Sequence, residues 1–195
     1  MELLALTTRP PAAETVAPLA GRASLLEVYR ALPGQPPGAY AGAIRADGLD
    51  PGDLAPLADV ALYTGSARHL RRRPVPGARL GVVPGIVVVF GVRARPGLDL
   101  AAYDAHWRDS HGPKALRHHV GMDDYVQWTV AGGAAPGAVS VGHDGFSLCG
   151  FATENDLRTR FFDGPEGQAI ISADAAAFVD LTRLDRVECE LEILA

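Results

Sequence analysis

The sequence predicts an α+β fold built from two consecutive ferredoxin-like units, each with the element order β-α-β-β-α-β. Three observations support this prediction. Short apolar or alternating runs are typical of strands, and longer amphipathic runs between them are typical of helices. A Pro- and Gly-rich break lies near the middle of the chain, and the same order of elements occurs on both sides of it.

The second half has the clearer pattern. The Val-rich run 85–94 predicts a buried strand, and the amphipathic segment after it predicts a helix with Asp99 as N-cap. Pro113 is expected to kink or end that helix. A second helical segment is broken at "DGPEG". The other predicted strands of this half are 123–131, 143–153 and 186–194.

The first half repeats this order in a shortened form. "PAAETVAPLAGRA" and "PGDLAPLA" read as its two helices. The predicted strands are "MELLALTTR", "SLLEVYRAL", "GAYAGAIRAD" and "DVALYTGS". We therefore predict a degenerate ferredoxin-like half at 1–70 and a ferredoxin-like domain at 85–195, joined by a basic Pro/Gly linker at 71–84. The Arg-rich run beside the break, "SARHLRRRPVPGAR", is either solvated linker or a patch for an anionic substrate or partner.

Composition excludes several functional classes. The net charge of −5 argues against nucleic-acid binding, and no apolar run is long enough to span a bilayer. The N-terminus lacks the basic region of a signal peptide. The two cysteines, Cys149 and Cys189, lie in strand-like runs and are expected to be free, buried thiols. These features predict a cytoplasmic protein, and the Ala-, Gly- and Pro-rich composition is typical of a bacterial one.

Four of the six histidines lie in "AYDAHWRDSHGPKALRHH", residues 102–119. A helical zinc pair needs ligands four residues apart, but His106 and His111 are five apart, and His118 and His119 are adjacent. We therefore expect no metal site here. His106 is expected to face solvent, and His118 and His119 to lie at the helix end, where a cation suits the helix dipole.

Tyr103, Trp107 and His111 have the spacing of a single helical face. This pattern is equally typical of a core stripe that ends in a hydrogen-bonded histidine. If His111 is at the helix C-terminus, the helix dipole favours its protonated form while burial opposes it. A pKa near neutrality would suit general acid–base catalysis, so His111 is the candidate catalytic residue.

Further candidates for substrate binding lie on the predicted strands. Tyr125 and Gln127 share one strand face, whereas Trp128 points the opposite way. His143 opens the next strand beside a carboxylate, an arrangement that can move a proton or simply form a turn. Tyr103, Trp107, Tyr125, Gln127 and His143 are therefore the candidate substrate-binding residues.

The segment "AAYDAHWRDSHGP" resembles the aromatic-x-x-x-W-x-x-x-H-x-P signature of the EthD family of dimeric α+β barrel proteins. "YVQ", "DGFSLCGF" (144–151) and "FFDGPEGQAIISADAAAFVD" (161–180) follow in the order found in that family. The resemblance covers about 85–195. It departs from the family at Tyr103, where Phe is common, and in the length of the chain.

This resemblance implies half-barrels that pair to close a β-barrel, with a small aromatic ligand between sheet and helices. It also implies cofactor-independent chemistry, and the chain has no nucleotide, flavin or haem motif. Three functions remain open: a dehydratase, cyclase or isomerase on an aromatic or polyketide-like substrate, a cofactor-free monooxygenase, or a non-catalytic binding protein. The expected partners are a small aromatic substrate and a second copy of the chain, paired through sheet faces, but neither nucleic acid nor membrane.

Overall fold

The computed structural model describes residues 1–36, 38–73, 80–133 and 141–195. Eight strands are present in this part of the chain, and they are joined by short helices in the first half and longer ones in the second. The strands are β1 (Glu2–Thr7), β2 (Leu25–Ala31), β3 (Gly42–Asp47), β4 (Ala61–Arg71), β5 (Gly81–Val92), β6 (Met122–Gly133), β7 (Gly145–Phe151) and β8 (Asp185–Ile193). The helices are α1 (Ala13–Val16), α2 (Pro51–Leu54), α3 (Leu100–His106), α4 (Gly112–His118), α5 (Glu154–Thr159) and α6 (Pro165–Phe178).

All eight strands form one closed antiparallel barrel in the order β1-β3-β2-β8-β5-β7-β6-β4. The two halves meet at two seams, where β2 pairs with β8 and β4 pairs with β6. A closed barrel leaves no free strand edge, so a second chain is not needed to complete the sheet. The mixed α and β content predicted from the sequence is confirmed, and closure of the barrel within one chain is added by the structure.

Alternation along the strands separates an interior from an exterior. Inward side chains from strands of both halves form the interior core, which includes Leu4, Tyr63, Trp128 and Phe146. In the first half, α1 and α2 cover the outer face through a second apolar cluster that contains Val16 and Leu54. The last strand follows its predicted alternation, with Val187, Cys189 and Leu191 in the interior core.

One part of the barrel interior is charged. The Arg45 side chain is only 2% exposed, and it forms ion pairs with Glu2 and Glu27 at 2.8 Å each. Trp128 Nε1 donates a hydrogen bond to Glu2 Oε2 at 3.0 Å. Because both carboxylates compensate the buried guanidinium, this network ties β1, β2, β3 and β6 together.

The Arg-rich run near the break is structural over the residues described. Arg68 pairs with Asp104 at 3.0 Å, and Arg73 pairs with Asp123 at 2.8 Å. Arg71 donates to the backbone carbonyls of Leu116 and Met122. These contacts fasten the end of β4 to α3, α4 and β6. Strands β4 and β5 also take in both ends of the predicted linker 71–84, while 74–79 lies outside the described residues.

The cysteines and the helices can also be compared with the sequence predictions. Cys149 and Cys189 are free and buried. None of the helices in the described ranges has the length and apolar character needed to cross a membrane.

Gly145 is the contact point between the barrel and the α3–α4 segment. A Cβ at this position would lie 2.4 Å from Trp107 Cζ3 and 3.0 Å from Trp128 O. We predict that Gly145→Ala lowers the free energy of unfolding by about 1–3 kcal/mol, because the indole must move out of a packed site.

Urea denaturation would measure this loss, with Gly52→Ala as the control. A Cβ at Gly52, in α2, would have no neighbour within 4 Å. That control is expected to be neutral or slightly stabilising, because Ala favours helix over Gly. Equal stabilities of the two variants would contradict the packing argument.

Candidate active site

An apolar cavity of about 160 Å³ lies between the outer face of the second-half sheet and the helices that cover it. Strands β5, β6 and β7 form its floor, and α6 and the helical segment from α3 to α4 form its walls. Its lining residues are Phe90, Val92, Trp107, His111, His119, Tyr125, Ser147, Cys149, Phe161, Ile171, Ala175, Phe178, Val179, Leu181 and Leu184. Leu181 and Leu184 are 45% and 39% exposed, so the rim of the cavity is apolar.

His111 and Asp174 form a hydrogen-bonded pair at this cavity. His111 Nδ1 lies 2.8 Å from Asp174 Oδ2, and the two side chains are 12% and 5% exposed. A carboxylate accepts hydrogen bonds, so Nδ1 carries the proton and Nε2 presents a lone pair. In the described part of the chain, no hydrogen bond reaches His111 Nε2. Burial lowers the pKa of His111, and the hydrogen bond and charge of Asp174 only partly oppose this shift.

Asp174 is a buried acidic centre for several groups of the α3–α4 segment. Its Oδ1 also receives contacts from His106 Nε2 at 3.2 Å, Ser110 Oγ at 3.3 Å and Lys114 Nζ. Burial would raise the pKa of Asp174, but the hydrogen bonds from Lys114 and His111 outweigh it and lower the pKa. Asp174 is therefore ionised near neutrality. The expectation that His106 simply faces solvent is wrong, since its side chain is 30% exposed and contacts this carboxylate.

The helix that carries His111 does not end there. The five residues Trp107–His111 form a π-helical turn between α3 and α4, and the Gly112 N–H bonds to the Trp107 carbonyl. Pro113 has no N–H, and the wider turn before it lets the helix continue through it. The expectation that Pro113 ends the helix and exposes His111 to a terminal dipole is thus wrong. Burial and Asp174 determine the protonation of His111 instead.

Tyr125, Gln127 and Trp107 form a network below the π-helical turn. Tyr125 Oη accepts hydrogen bonds from Trp107 Nε1 at 3.3 Å and Gln127 Nε2 at 3.2 Å. Gln127 Nε2 also donates to the Trp107 carbonyl at 3.0 Å, while its Oε1 accepts from Arg68. Burial raises the pKa of Tyr125 to about 12, so its hydroxyl stays protonated and can donate. Gln127 is therefore a support for the cavity wall rather than part of its lining.

His119 also lines the cavity. It is 6% exposed, and its Nδ1 lies 2.6 Å from the carbonyl oxygen of Phe161. The predicted place of His118 and His119 at the helix end is confirmed, because α4 ends at His118 and His119 is its C-cap, but both side chains are buried. His118 is 8% exposed and pairs with Asp163 at 2.9 Å. The loop between α5 and α6 folds back over the end of α4 and buries both imidazoles.

The structure brings four of the six candidates together at the cavity and places Tyr103 and His143 elsewhere. His111, Trp107 and Tyr125 line it, and Gln127 supports it. Tyr103 is 1% exposed and packs beside Trp107 and Phe178. His143 lies towards the barrel interior instead, where Asp185 Oδ2 lies 2.8 Å from its Nε2 and Tyr63 Oη lies 3.2 Å from its Nδ1.

Sequence reasoning missed Asp174 and His119 as site residues. The only available signal for Asp174 was its place in "D-x-x-x-F-V-D", four residues before Phe178 on the same helical face. Phe178 packs against the ring of His111 with centroids 5.1 Å apart. No local pattern marks His119, because the Phe161 carbonyl that fixes its ring lies in another element.

Residues 95–182 match the family model described as the EthD domain. The matched range contains the Tyr103–His111 stripe, the π-helical turn and Asp174. No curated protein matches the sequence.

Two solved structures are similar to the chain along its whole length. An anthrone oxidase-like protein has a TM-score of 0.62 at 10% identity, with 100% of this chain and 92% of that chain covered. A protein from Lactobacillus acidophilus NCFM described as a "putative monooxygenase" has a TM-score of 0.52 at 9% identity, with 100% and 93% covered. At these identities, the similarity shows a shared fold that extends beyond the residues matched by the family model.

The stability of the fold should depend on pH through His119. Burial lowers its pKa to about 4, whereas an unfolded histidine titrates near 6.5. When the pH falls from about 6.5 towards 4, His119 is protonated in the unfolded state but stays neutral in the folded state. We predict that the free energy of unfolding falls by about 1–3 kcal/mol between about pH 7 and pH 4.5 through this residue.

Urea denaturation of the wild type and His119→Asn across this range would test the prediction. Asn can keep the donor to the Phe161 carbonyl but does not titrate, so the variant should lose part of the pH dependence. Parallel curves for the two proteins would show that His119 does not contribute.

Proposed function

We propose that this protein is a cofactor-independent enzyme that acts on a small aromatic or polyketide-like carbonyl compound, with His111 as the general base. The observation that carries this proposal is the His111–Asp174 pair at the wall of an apolar cavity. A histidine that only packs does not need an ionised carboxylate on one nitrogen and a free lone pair on the other. The same pairing is the usual way to orient and strengthen an imidazole base.

The electrostatics suit proton abstraction. The lowered pKa of His111 keeps the imidazole unprotonated near neutral pH, so Nε2 is ready to accept a proton. Once the imidazolium forms, Asp174 compensates its charge at 2.8 Å. The protonated hydroxyl of Tyr125 is a donor for the oxyanion of an enolate, and the Trp107 ring offers an apolar wall to an aromatic substrate.

The cavity size limits the substrate. A cavity of about 150 Å³ accommodates a single benzene ring, and typical ligand pockets are several hundred Å³. With about 160 Å³, this cavity encloses one aromatic ring, and a second fused ring would reach the open rim beside Leu181 and Leu184. A larger ring system would require movement of the rim residues Leu181 and Leu184.

Oxidation by dioxygen is the reaction that we favour. His111 removes a proton from a CH₂ group beside a carbonyl, and the electron pair of that bond forms the enolate. The enolate carbon bonds to dioxygen, which is reduced to a peroxide that takes the proton from the imidazolium. Loss of the second C–H proton breaks the O–O bond and leaves a new carbonyl and water. The sum, CH₂ plus O₂ to C=O plus H₂O, needs no external reductant.

The similar structures described as an anthrone oxidase-like protein and a "putative monooxygenase" support this choice. The alternative is an isomerase, dehydratase or cyclase that uses the same enolate. The His111 imidazolium, held by Asp174, could return the proton to another carbon or to a leaving hydroxyl. A non-catalytic binding protein would use the cavity without either step.

We further propose that the two halves are ferredoxin-like units, 1–70 and 85–195, of which only the second carries chemistry. Each half has the strand order fourth-first-third-second, namely β4-β1-β3-β2 and β8-β5-β7-β6. All cavity-lining residues come from the second half. The first half supplies one support, Arg68, through its bonds to Gln127 and Asp104.

Proton abstraction can be measured separately from oxidation with β-tetralone, whose CH₂ between ring and carbonyl is acidic. We expect the wild type to catalyse deuterium exchange at this carbon under nitrogen, followed by NMR, and to consume dioxygen in air. His111→Asn keeps a donor for Asp174 but lacks Nε2, and should lower the exchange rate at least about 10²-fold. Asp174→Asn should lower it less, by weakening the base.

His69→Asn, at a histidine outside this cavity, is the matched control. Exchange without dioxygen uptake would favour the isomerase, dehydratase or cyclase alternative. Exchange that is equal in the wild type and His111→Asn would overturn the proposed function.

A further inference from the structure

His119 is a second neutral imidazole at the same cavity, and its role differs from that of His111. The backbone carbonyl of Phe161 can only accept a hydrogen bond, so His119 Nδ1 carries the proton. Nε2 is therefore a lone-pair acceptor, and no residue in the described ranges donates to it. The ring packs against Phe161 and Phe162, with centroids 4.6 and 5.0 Å away, so its orientation is fixed.

An acceptor in this position calls for a donor. Buried polar atoms in proteins are almost always hydrogen-bonded, and leaving one unpaired is unfavourable. The cavity that His119 lines is mostly apolar, with Phe161, Ile171 and Phe178 among its other lining residues. A bound molecule that carries an O–H group would satisfy Nε2, whereas a hydrocarbon ring would leave it unpaired.

We propose that His119 is a specificity-determining residue that accepts a hydrogen bond from a phenolic hydroxyl of the substrate. The substrate class of this cavity is then a hydroxylated aromatic compound of one or two rings. This inference rests on the proposed function only in taking the cavity to be the substrate site. It requires no particular reaction at His111.

The different partners of the two imidazoles explain their different roles. His111 has the full negative charge of Asp174 beside it, so it can become an imidazolium during catalysis. His119 has only a carbonyl dipole, and burial lowers its pKa to about 4, with further lowering by His111 and His118. His119 therefore remains a neutral hydrogen-bond acceptor when His111 takes up a proton.

The same arrangement disfavours anionic ligands. Both imidazoles use their N–H groups on protein acceptors, so each offers a lone pair rather than a donor to the cavity. A carboxylate would bring negative charge against two lone pairs in an apolar site. The two imidazoles therefore favour a phenol over an aromatic acid of similar size, and the Tyr125 hydroxyl serves the enolate oxygen instead.

Binding of β-naphthol, naphthalene and β-naphthoate to the full chain tests the proposal, with calorimetry or fluorescence as the readout. We expect β-naphthol to bind the wild type, and β-naphthoate to bind at least about 10-fold more weakly. His119→Asn, which keeps the bond to Phe161, should lower the affinity for β-naphthol about 5- to 10-fold and leave that for naphthalene unchanged. His119→Phe should act in the same direction.

Nitrogen NMR of the wild type gives a second test, because the Nε2 chemical shift of His119 would not respond to β-naphthol if His119 had only a structural role. The Nε2 resonance of His119 should shift on addition of β-naphthol but not of naphthalene. Equal losses of affinity for both ligands in His119→Asn, or an unshifted Nε2 resonance at saturation, would overturn the proposal.

The experiments distinguish failure of the proposed function, with His111 as base, from failure of the inference about His119. If β-naphthol binding depends on His119 but β-tetralone shows no His111-dependent exchange, the base is misassigned and the specificity inference stands. If exchange depends on His111 but the preference for β-naphthol is the same in His119→Asn, the reverse holds.

Discussion

Closure of the barrel within one chain is the constraint on which the rest of the structure depends. Every strand is paired on both edges, so the sheet offers only an inner and an outer face for function. The inner face carries a core of large side chains and the Arg45 ion pairs. The candidate site lies at the outer face, where the helices cover the sheet with apolar and aromatic side chains.

The two halves differ because their crossover helices differ in length. In the first half, α1 and α2 have four residues each and lie directly on the sheet through small and branched side chains. In the second half, α6 and the α3–α4 segment are longer. The large side chains of Trp107, Phe178 and Tyr103 pack between these helices and the sheet. The aromatic rings act as spacers, and the cavity beside His111 lies between these helices and the sheet. A similar strand order in both halves is thus compatible with a single site.

Asp174 links the geometry of the fold to the chemistry of the site. It lies on α6, whereas the groups it contacts lie on the α3–α4 segment, so the same carboxylate joins two helices and orients His111. The π-helical turn contributes to this arrangement because it lets one continuous helix pass through Pro113 while the His111 ring stays at the cavity. A network of this kind makes the orientation of the base sensitive to helix packing as well as to its immediate neighbours.

The sequence by itself determined the order of the elements, the alternation of β8, the Tyr103–His111 stripe and the shared face of Tyr125 and Gln127. These features follow from local periodicity, which fixes the direction of a side chain relative to its own helix or strand. The tertiary structure alone decided barrel closure, the pairing of His111 with Asp174, the burial of His119 and the inward position of His143. Each of these depends on a partner from a distant element, as with His111 and Asp174, which lie 63 positions apart in the sequence. Local pattern cannot supply such partners, because they are selected by strand pairing and helix packing across the whole chain.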